Sequence, residues 1–450
     1  MSRAVAAIVL AVAVAPASAR AATPAIQRLS NRGGTATRLG VDARGNAVAI
    51  WQAGAPKLGG KPYEQTSALI VSRRRAGGHF DMPRPLTRLD LAVFTFALEV
   101  GARGDSAVVW QPAGHGQQLY VHRARPGKAL GAGAVLPGSR GGTQPVAAID
   151  ARGRLLVAWL RPSRRDRCGM VVMATVAPRG GAFRRPKRLS DACGHAGWLR
   201  ADLARHGDGA VAWRSSGARS AVSHSVVQIS PFAGGHFRPR RAASAVGNVG
   251  EALALAAGGR RAVLVWRDKA PGVSRVLTAA IDAGHVGAPV AVMATPDVLL
   301  ADVGAAMSPR DAAMVAWQHA PKGSSVWDAF ATGEVAIRAS SDGAFGPPEV
   351  VAPEIETAAD YGLSGLALDA SGRALAGYED FARIRPLAGP WGRQVALHRH
   401  SDYSDPDWPP NGDEISVGLS DAGEGLAVWV LSPPLEDREN TILAAVIPAP

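Results

Sequence analysis

Apolar and polar positions follow one pattern that recurs eight times along this chain. Each copy has an apolar run, a tight turn that usually contains glycine, and a second apolar run that ends in an aromatic residue, as in residues 41–51. Two apolar runs joined by a short glycine turn are typical of a β-hairpin. The closing aromatics recur 49 to 61 residues apart and are Trp51, Trp110, Trp159, Trp213, Trp266, Trp317, Tyr378 and Trp429. A repeat of this length predicts a β-propeller with one blade per copy.

The third copy shows the whole repeating unit. Four strands are predicted there, at residues 145–149, 155–160, 168–176 and 183–190, with short polar or glycine-rich connections. β-Branched, aromatic and small apolar residues dominate these strands. Each copy therefore predicts a four-stranded antiparallel meander, and the fold is predicted to be all-β.

Proline and charge place the fourth strand at the outer edge of each blade. Proline cannot donate to a sheet ladder and is tolerated mainly in edge strands, and Pro83, Pro186 and Pro239 all lie in fourth strands. Arginine and lysine cluster in the same strands, where charge discourages edge-to-edge aggregation. We interpret these basic runs as a solvated rim. The alternative, a nucleic-acid surface, lacks the interleaved aromatics that stack on bases.

The two ends of the repeat region predict how the ring closes. Residues 23–30 match the pattern of a fourth strand such as residues 186–190, whereas the last copy stops after its third strand at residues 441–447. The first segment is therefore predicted to complete the last blade, which removes open sheet edges. This gives eight four-stranded blades. The alternative is seven, if the seventh copy, which closes with Tyr378, is an insertion.

The first residues of the chain predict export. Arg3 supplies a positive charge, residues 4–15 form an apolar run, and small residues follow around a cleavage position after Ala19 or Ala21. The apolar run is too short to cross a bilayer. We therefore expect residues 1–21 to be a signal peptide and residues 22–450 to be a single propeller. The protein is expected to be secreted or held in the cell envelope.

Charge and cysteine content each leave two interpretations open. The chain carries a formal charge of +13, which fits either an arginine-rich composition from GC-rich coding or a polyanionic partner. The two cysteines, Cys168 and Cys193, flank the third and fourth predicted strands of one blade. In an exported protein such a pair predicts one disulfide. The alternative is two free thiols or half of a metal site.

Polar residues in the first strand of each copy predict a ligand site at the mouth of the central channel, on the face with long variable loops. Three acids fall fifteen residues before the closing aromatic of their copy, namely Glu251, Asp302 and Glu414. Two more, Glu99 and Asp202, fall eleven residues before it. Charge at a repeated position of an apolar strand is unexpected for packing. The predicted site, for a cation or a polar ligand, is completed by Arg200, Asp360 and Tyr361. The alternative is a water-filled channel that tolerates charge anywhere.

No catalytic motif accompanies these residues. The sequence contains no Gly-x-Ser-x-Gly elbow, no His-Glu-x-x-His pair, no P-loop and no Rossmann glycine fingerprint. No cofactor is predicted. Ca²⁺ is the alternative, because one acidic loop offers oxygen ligands at Asp402, Asp405, Asp407, Asp413 and Glu414, although their spacing does not match a calcium loop.

The pattern Val-Asp-x-x-Gly-x-Ala-Val-x-x-Trp, followed by Gly-Gly-x-Phe, resembles that of uncharacterised exported β-propeller repeat proteins of high-GC bacteria. The likeness spans nearly all of residues 22–450 and implies an architecture without an activity. Residues 340–345, Ser-Ser-Asp-Gly-Ala-Phe, also resemble the Asp-box turn of sialidase-type propellers. The arginine triad and the early Phe-Arg-Ile-Pro segment of sialidases are not matched, so no catalytic residue is carried over.

We therefore expect a monomeric, non-catalytic binding protein for a glycan, an envelope polymer or a protein, which it contacts through its variable-loop face. The alternative is a glycan-cleaving hydrolase or lyase with paired carboxylates about 5 to 9 Å apart at the channel mouth. A polyanion-binding envelope protein is a third hypothesis. Neither a membrane span nor a specific nucleic-acid site is expected.

Overall fold

A computed structural model shows an all-β protein. The residues that it describes are 26–30, 34–55, 66–88, 92–114, 117–163, 169–191, 195–216, 225–245, 247, 249–270, 272–296, 298–320, 330–340, 342–356, 365–378, 381–386, 389–397, 415–431 and 441–447. Within these ranges there are 34 strands and no helix.

The strands form eight antiparallel sheets, one for each copy of the repeat, arranged as a β-propeller. Blade 1 contains β2 (Thr35–Val41), β3 (Ala47–Ala55), β4 (Thr66–Arg74) and β5 (Arg84–Pro85), and blade 2 contains β6 (Val93–Val100), β7 (Ser106–Pro112), β8 (Tyr120–Ala124) and β9 (Ala134–Val135). Blade 3 contains β10 (Thr143–Ile149), β11 (Leu155–Pro162), β12 (Met170–Ala177) and β13 (Lys187–Arg188). Blade 4 contains β14 (His195–Leu203), β15 (Gly209–Ser216), β16 (Ser225–Ala233), β17 (His236–Phe237) and β18 (Arg241–Ala242). Blade 5 contains β19 (Val249–Ala257), β20 (Arg261–Ala270), β21 (Val273–Asp282), β22 (His285–Val286) and β23 (Val290–Thr295), and blade 6 contains β24 (Val298–Met307), β25 (Ala313–Ala320), β26 (Phe330–Arg338) and β27 (Glu349–Glu356). Blade 7 contains β28 (Gly365–Leu368), β29 (Ala374–Tyr378), β30 (Phe381–Arg385) and β31 (Val395–Ala396). Blade 8 contains β32 (Ser416–Leu419), β33 (Gly425–Leu431) and β34 (Thr441–Ile447), with β1 (Ile26–Arg28) as its fourth strand.

The ring closes as the sequence predicts. β1 pairs antiparallel with β34, with Gln27 opposite Ala444. The Gln27 side chain also joins blade 8 to blade 1, because its Nε2 donates to the Phe80 carbonyl (2.8 Å) and its Oε1 accepts from the Phe80 N–H (2.9 Å). The copy that ends in Tyr378 forms blade 7 from β28 to β31. The count is therefore eight, and the alternative of seven blades is wrong.

The fourth strands lie at the outer edge, as predicted, and most of them span only two or three residues, although β27 of blade 6 spans eight. In blade 3 the expected strand at residues 183–190 is reduced to the two residues of β13, which pair with β12. Pro186, immediately before β13, has no N–H to donate, so the ladder cannot continue through it. In blades 4 and 5 the outer edge is split into two short strands.

The core lies between neighbouring blades, where the closing aromatics are buried. Trp110 of blade 2 packs in one cluster with Ile50 and Leu69 of blade 1. Trp51 of blade 1 packs in the same way with Val428 and other residues of blade 8, so the seam of the ring is packed like every other junction. An aromatic side chain of this size buries about 150–250 Å². The repeat spacing in the sequence is therefore the spacing of the contacts that hold the blades together.

The closing tryptophans differ in what their indole N–H contacts. Trp317 donates from Nε1 to Glu334 Oε2 at 3.0 Å. Within the described ranges no acceptor meets the buried Nε1 of Trp51, Trp110, Trp159, Trp213, Trp266 or Trp429. A hydrogen bond to a charged group contributes about 1.5–3 kcal/mol, so its loss is measurable.

We expect Trp317→Phe to destabilise the protein by about 1–2 kcal/mol more than Trp159→Phe. Both substitutions remove the same volume from a buried site, but only the first removes a hydrogen bond to a partly buried carboxylate, that of Glu334, which then keeps only the contact with His319 Nε2 at 3.4 Å. Urea denaturation of the two variants measures the difference. Equal losses in the two variants would contradict this expectation.

The turns between first and second strands form a collar at one end of the channel, on a face that we call the turn face. In blade 1, Asp42 Oδ1 accepts hydrogen bonds from the backbone N–H groups of Arg44 and Asn46, at 2.9 Å each. Neighbouring turns are joined directly, since the Ala43 N–H donates to the Ala102 carbonyl at 3.1 Å. The opposite face carries the longer connections and is called the variable-loop face.

Two predictions from the sequence concern residues outside the described ranges. The signal peptide at residues 1–21 and the cysteine pair Cys168 and Cys193 both lie there. In the part of the chain that the structure describes, no helix is long and apolar enough to cross a membrane.

Candidate functional site

The first strand of each of blades 1 to 6 contains a β-bulge near the variable-loop face. In blade 4, Gly197 lies opposite Arg214 and Arg200 lies opposite Ala212, so three steps along β14 match two along β15. Equivalent register shifts occur in β2, β6, β10, β19 and β24. A bulge bends its strand and changes the direction of the side chains beside it. Bulges therefore shape the mouth of the channel.

Three of these bulges hold a non-glycine residue at positive φ. The residues are Ala36 at 51°, Gln144 at 49° and Trp198 at 53°, and each lies fifteen residues before the closing tryptophan of its copy. This conformation costs about 1–3 kcal/mol for a residue with a side chain. Trp198 keeps it although its ring is 36% exposed. Strain retained in an exposed aromatic at a channel mouth favours a role in binding over one in packing.

The repeated acidic position found in the sequence falls in the same bulges. Glu251 lies within the register shift of β19, and Asp302 within that of β24. Their side chains lie outside the described part of the structure, as do Asp360, Tyr361 and Glu414 entirely. Glu251 and Asp302 recur at one position because that position lies in the bulge of their first strands. That these carboxylates converge on one site stays a prediction.

A cavity of about 880 Å³ opens at the variable-loop end of the channel and is lined by blades 1 to 5. It lies against the first strands of these blades. Its charged, polar and aromatic lining includes Arg38, Glu99, Gln144, Trp198, Arg200 and Asp202. A concave site of this volume is typical of those that hold small molecules or short oligosaccharides.

The charged groups of the cavity lie in two layers. Arg38 and Arg200 each fall thirteen residues before their closing tryptophan, and the acids Glu99 and Asp202 fall eleven before theirs. Residues two apart on a strand share a face, so the cationic layer lies nearer the variable-loop face and the acidic layer lies deeper. The Arg38 guanidinium also lies over the Phe96 ring, 6.0 Å from its centroid.

The two deeper acids share one electrostatic environment. Burial raises the pKa of Glu99 well above its ordinary value, and the nearby charge of Asp202 raises it further. Burial also raises the pKa of Asp202 to about 7, although hydrogen bonds oppose that rise. Asp202 Oδ1 accepts from the Leu203 N–H (2.7 Å) and its Oδ2 from the Ala257 N–H (2.8 Å). Both Asp202 oxygens accept N–H groups, which favours its carboxylate form and opposes the rise in its pKa.

At the turn face the channel is crossed by an ion pair. Arg205 Nη2 lies 3.2 Å from Asp421 Oδ2, and these residues belong to blades 4 and 8, which are opposite each other in a ring of eight. A space of about 200 Å³ lies beside the pair and also touches Glu99 and Asp202. The acidic layer therefore separates the larger cavity from this smaller space near the collar.

Sequence analysis identified part of this lining and missed the rest. Arg200 lies in the cavity beside the two deeper acids. Arg38 was missed, although it falls at the same count from its closing tryptophan as Arg200 does. Trp198 and Gln144 were missed because only charged residues were compared at the position fifteen before the aromatic.

Among the described residues, no group of three or more histidine, cysteine, aspartate or glutamate side chains could hold a metal ion. The acidic loop at residues 402–414, considered above for Ca²⁺, lies outside the described ranges.

Comparisons with known proteins extend to the fold alone. No family model matches the chain, and no curated protein matches its sequence. Among solved structures, it is similar to a protein of unknown function from Dyadobacter fermentans (11% identity, 70% of this chain and 98% of the other, TM-score 0.42). It is also similar to a PL25 polysaccharide lyase, an ulvan lyase (9% identity, 72% and 79%, TM-score 0.40), and to a Hadza microbial sialidase (11% identity, 92% and 66%, TM-score 0.40).

Proposed function

We propose that the protein is a secreted, non-catalytic binding protein that holds a short glycan in the cavity at the variable-loop end of its channel. The observation that carries this proposal is the strained and exposed Trp198 beside Arg38 and Arg200 in one concave site. An aromatic ring offers a flat apolar surface to the C–H face of a sugar. Arginine and glutamine side chains offer directed hydrogen bonds to hydroxyl and carboxylate groups.

The two deeper acids, Asp202 and Glu99, assist binding at the base of the cavity. Both oxygens of Asp202 are engaged by backbone N–H groups, so this carboxylate is held in place and has fewer free lone pairs for a water or a sugar. Burial and the charge of Asp202 raise the pKa of Glu99, which favours the protonated form that can donate a hydrogen bond to a ligand oxygen.

A glycan-cleaving hydrolase or lyase is the second candidate, and one observation favours it. Glu99 has a raised pKa in a cavity, and a protonated carboxyl group is what a general acid requires. The two candidates differ in their products. A binding protein returns its ligand intact, whereas an enzyme with this acid releases shorter saccharides and loses that activity in Glu99→Gln.

Binding to a glycan array, followed by titration of the best ligand, tests the proposal. We expect Trp198→Gly to weaken binding at least tenfold. Glycine accepts positive φ without strain, so this variant should fold at least as well as the parent, and lost affinity can be assigned to the lost ring. Phe94→Ala is the matched control, because Phe94 is a 65% exposed aromatic in the first strand of blade 2 and is not part of the cavity lining.

Equal binding by the Trp198→Gly variant and the parent would overturn the proposal. Cleavage of the array ligand, detected by mass spectrometry and abolished by Glu99→Gln, would replace it with the enzymatic alternative.

A further inference from the structure

A second cleft, on the turn face, is lined by arginines. It lies between blades 1 and 2 and has a volume of about 640 Å³. Arg44 and Arg103 approach it from the turns after β2 and β6, and Arg73 and Arg75 approach it from the end of β4. Arg44, Arg75 and Arg103 are exposed, and Arg73 is half-buried. The exposed His79 also lines the cleft.

The acids of this cleft are already occupied by other donors. Asp42 accepts from two backbone N–H groups and from the Asn46 side-chain amide, at 2.8 Å for the latter. Asp81 Oδ1 accepts from the Arg73 backbone N–H (2.7 Å) and from the Ser72 hydroxyl (3.1 Å). Among the described residues neither carboxylate binds a guanidinium, and their two negative charges offset only part of the positive charge of the cleft.

One arginine beside the cleft does have a carboxylate partner. Arg74 is buried and makes a two-pronged contact with Glu424, from Nη1 at 2.8 Å and from Nη2 at 2.6 Å. The guanidinium groups of Arg44, Arg73, Arg75 and Arg103, by contrast, have no hydrogen bond or ion pair with any residue in the described ranges. Four guanidinium groups around one concavity, opposed by two carboxylates, leave a net positive site.

The neighbouring cleft, between blades 2 and 3, shows that this is not a general property of the repeat. It is smaller, at about 250 Å³, and two of its arginines are used within the protein. Arg179 Nε binds Asp105 Oδ1 at 2.9 Å, and Arg123 donates to two backbone carbonyls, those of Pro178 and Gly181. In the first cleft the neutral Asn46 stands at the turn position that Asp105 occupies in the next blade.

We propose that the cleft between blades 1 and 2 binds a ligand that carries at least two phosphate or sulfate groups. Guanidinium groups match the oxygens of such anions in pairs of hydrogen bonds. The arginines come from three separate segments around a cleft far larger than a single small anion, so they suit several linked anionic groups. This site lies on the face opposite the glycan cavity and does not depend on the proposed function.

Calorimetric titration with inorganic tripolyphosphate, inorganic phosphate and a dextran sulfate oligomer tests this proposal. We expect tripolyphosphate or the sulfated oligomer to bind at least tenfold more tightly than inorganic phosphate, and whichever is tighter identifies phosphate or sulfate as the preferred group. The affinity should fall as salt rises from 50 to about 200 mM, because exposed charges are screened at that ionic strength. The double variant Arg44→Ala/Arg103→Ala should bind at least tenfold more weakly.

The control is the double variant Arg125→Ala/Arg152→Ala. These arginines are also exposed on the turn face and do not line the first cleft, so the control removes the same charge from the same face. Thermal denaturation of both double variants verifies that each is folded. Equal weakening in the two variants, or no binding of either multivalent probe by the parent protein, would overturn the proposal.

Discussion

Removal of residues 26–30 is expected to lower the free energy of unfolding by roughly 5 kcal/mol. Leu29 is only 5% exposed and belongs to the core at the seam of the ring, and truncation of a buried leucine alone costs about 2–5 kcal/mol. Gln27 contributes two hydrogen bonds to blade 1, each worth about 1 kcal/mol. Removal also leaves β34 as an open sheet edge. Urea denaturation of the full and shortened chains, followed by tryptophan fluorescence, measures the loss.

Two comparisons separate ring closure from a general effect of a shorter chain. Leu29→Ala should destabilise by about 2–4 kcal/mol, whereas Ile26→Ala should change stability by less than about 0.5 kcal/mol, because Ile26 in the same segment is 47% exposed. A synthetic peptide of residues 23–30 should raise the melting temperature of the shortened chain by filling the vacant strand position. If the peptide has no effect and the shortened chain is as stable as the parent, β1 does not close the ring.

The protein is also expected to become less stable as pH rises from 5 to 8. An acid with a higher pKa in the folded than in the unfolded chain binds more protons when folded, so stability falls as pH rises between the two values. For Asp202 that window runs from 3.8 to about 7, and Glu99 shifts in the same direction. A tenfold change in proton affinity is about 1.4 kcal/mol. We expect a loss of roughly 2–4 kcal/mol, measured by urea denaturation at each pH.

Glu99→Gln tests the origin of this loss. The substitution keeps the size of the side chain and removes one of the two interacting ionisations, so the decline between pH 5 and 8 should be roughly halved. His122 acts in the opposite direction, because burial lowers its pKa below 6.5 and stability is lost as pH falls through that range. It is present in both proteins, so the difference between them isolates the acidic pair. Identical pH profiles would show that the channel acids do not titrate as described.

The fold could be predicted because the residues that define the repeat in the sequence also contact one another in the structure. The closing aromatics pack between neighbouring blades, so their period in the sequence is the period of the structure. Residues 23–30 could be assigned to the last blade because they match a fourth strand and the last copy of the repeat lacks one. The predicted length of the fourth strand of blade 3, residues 183–190, was wrong, since Pro186 cannot donate to a ladder. The sequence shows where the prolines lie, but the number of residues that still pair beside a proline depends on the geometry of the outer strand.

The candidate site was less predictable because bulges decide which side chains face the cavity. Counting back from the aromatic found the deeper acids Glu99 and Asp202, which lie in regular pairing below the bulge, and Arg200 was added to them as a further polar residue of the first strands. It did not find Trp198, whose ring direction follows from a positive φ that the sequence does not reveal. On the turn face, Asn46 stands where the next blade has Asp105, and the cleft beside Asn46 is rich in arginines without a carboxylate partner among the described residues. Such local charge balance emerges only when neighbouring blades are brought together.

The pairing of β1 with β34 has a consequence for biogenesis. Synthesis proceeds from the amino terminus, so β1 is made before its partner β34, which follows more than 400 residues later. The entropic cost of joining such distant segments grows only with the logarithm of the length, so the difficulty is one of time. During that interval the nascent chain has a lone first strand and an unfinished last sheet, both prone to stray pairing with other chains. A molecule cut short before residue 441 would stay in that state, which makes it a natural client for chaperones and proteases.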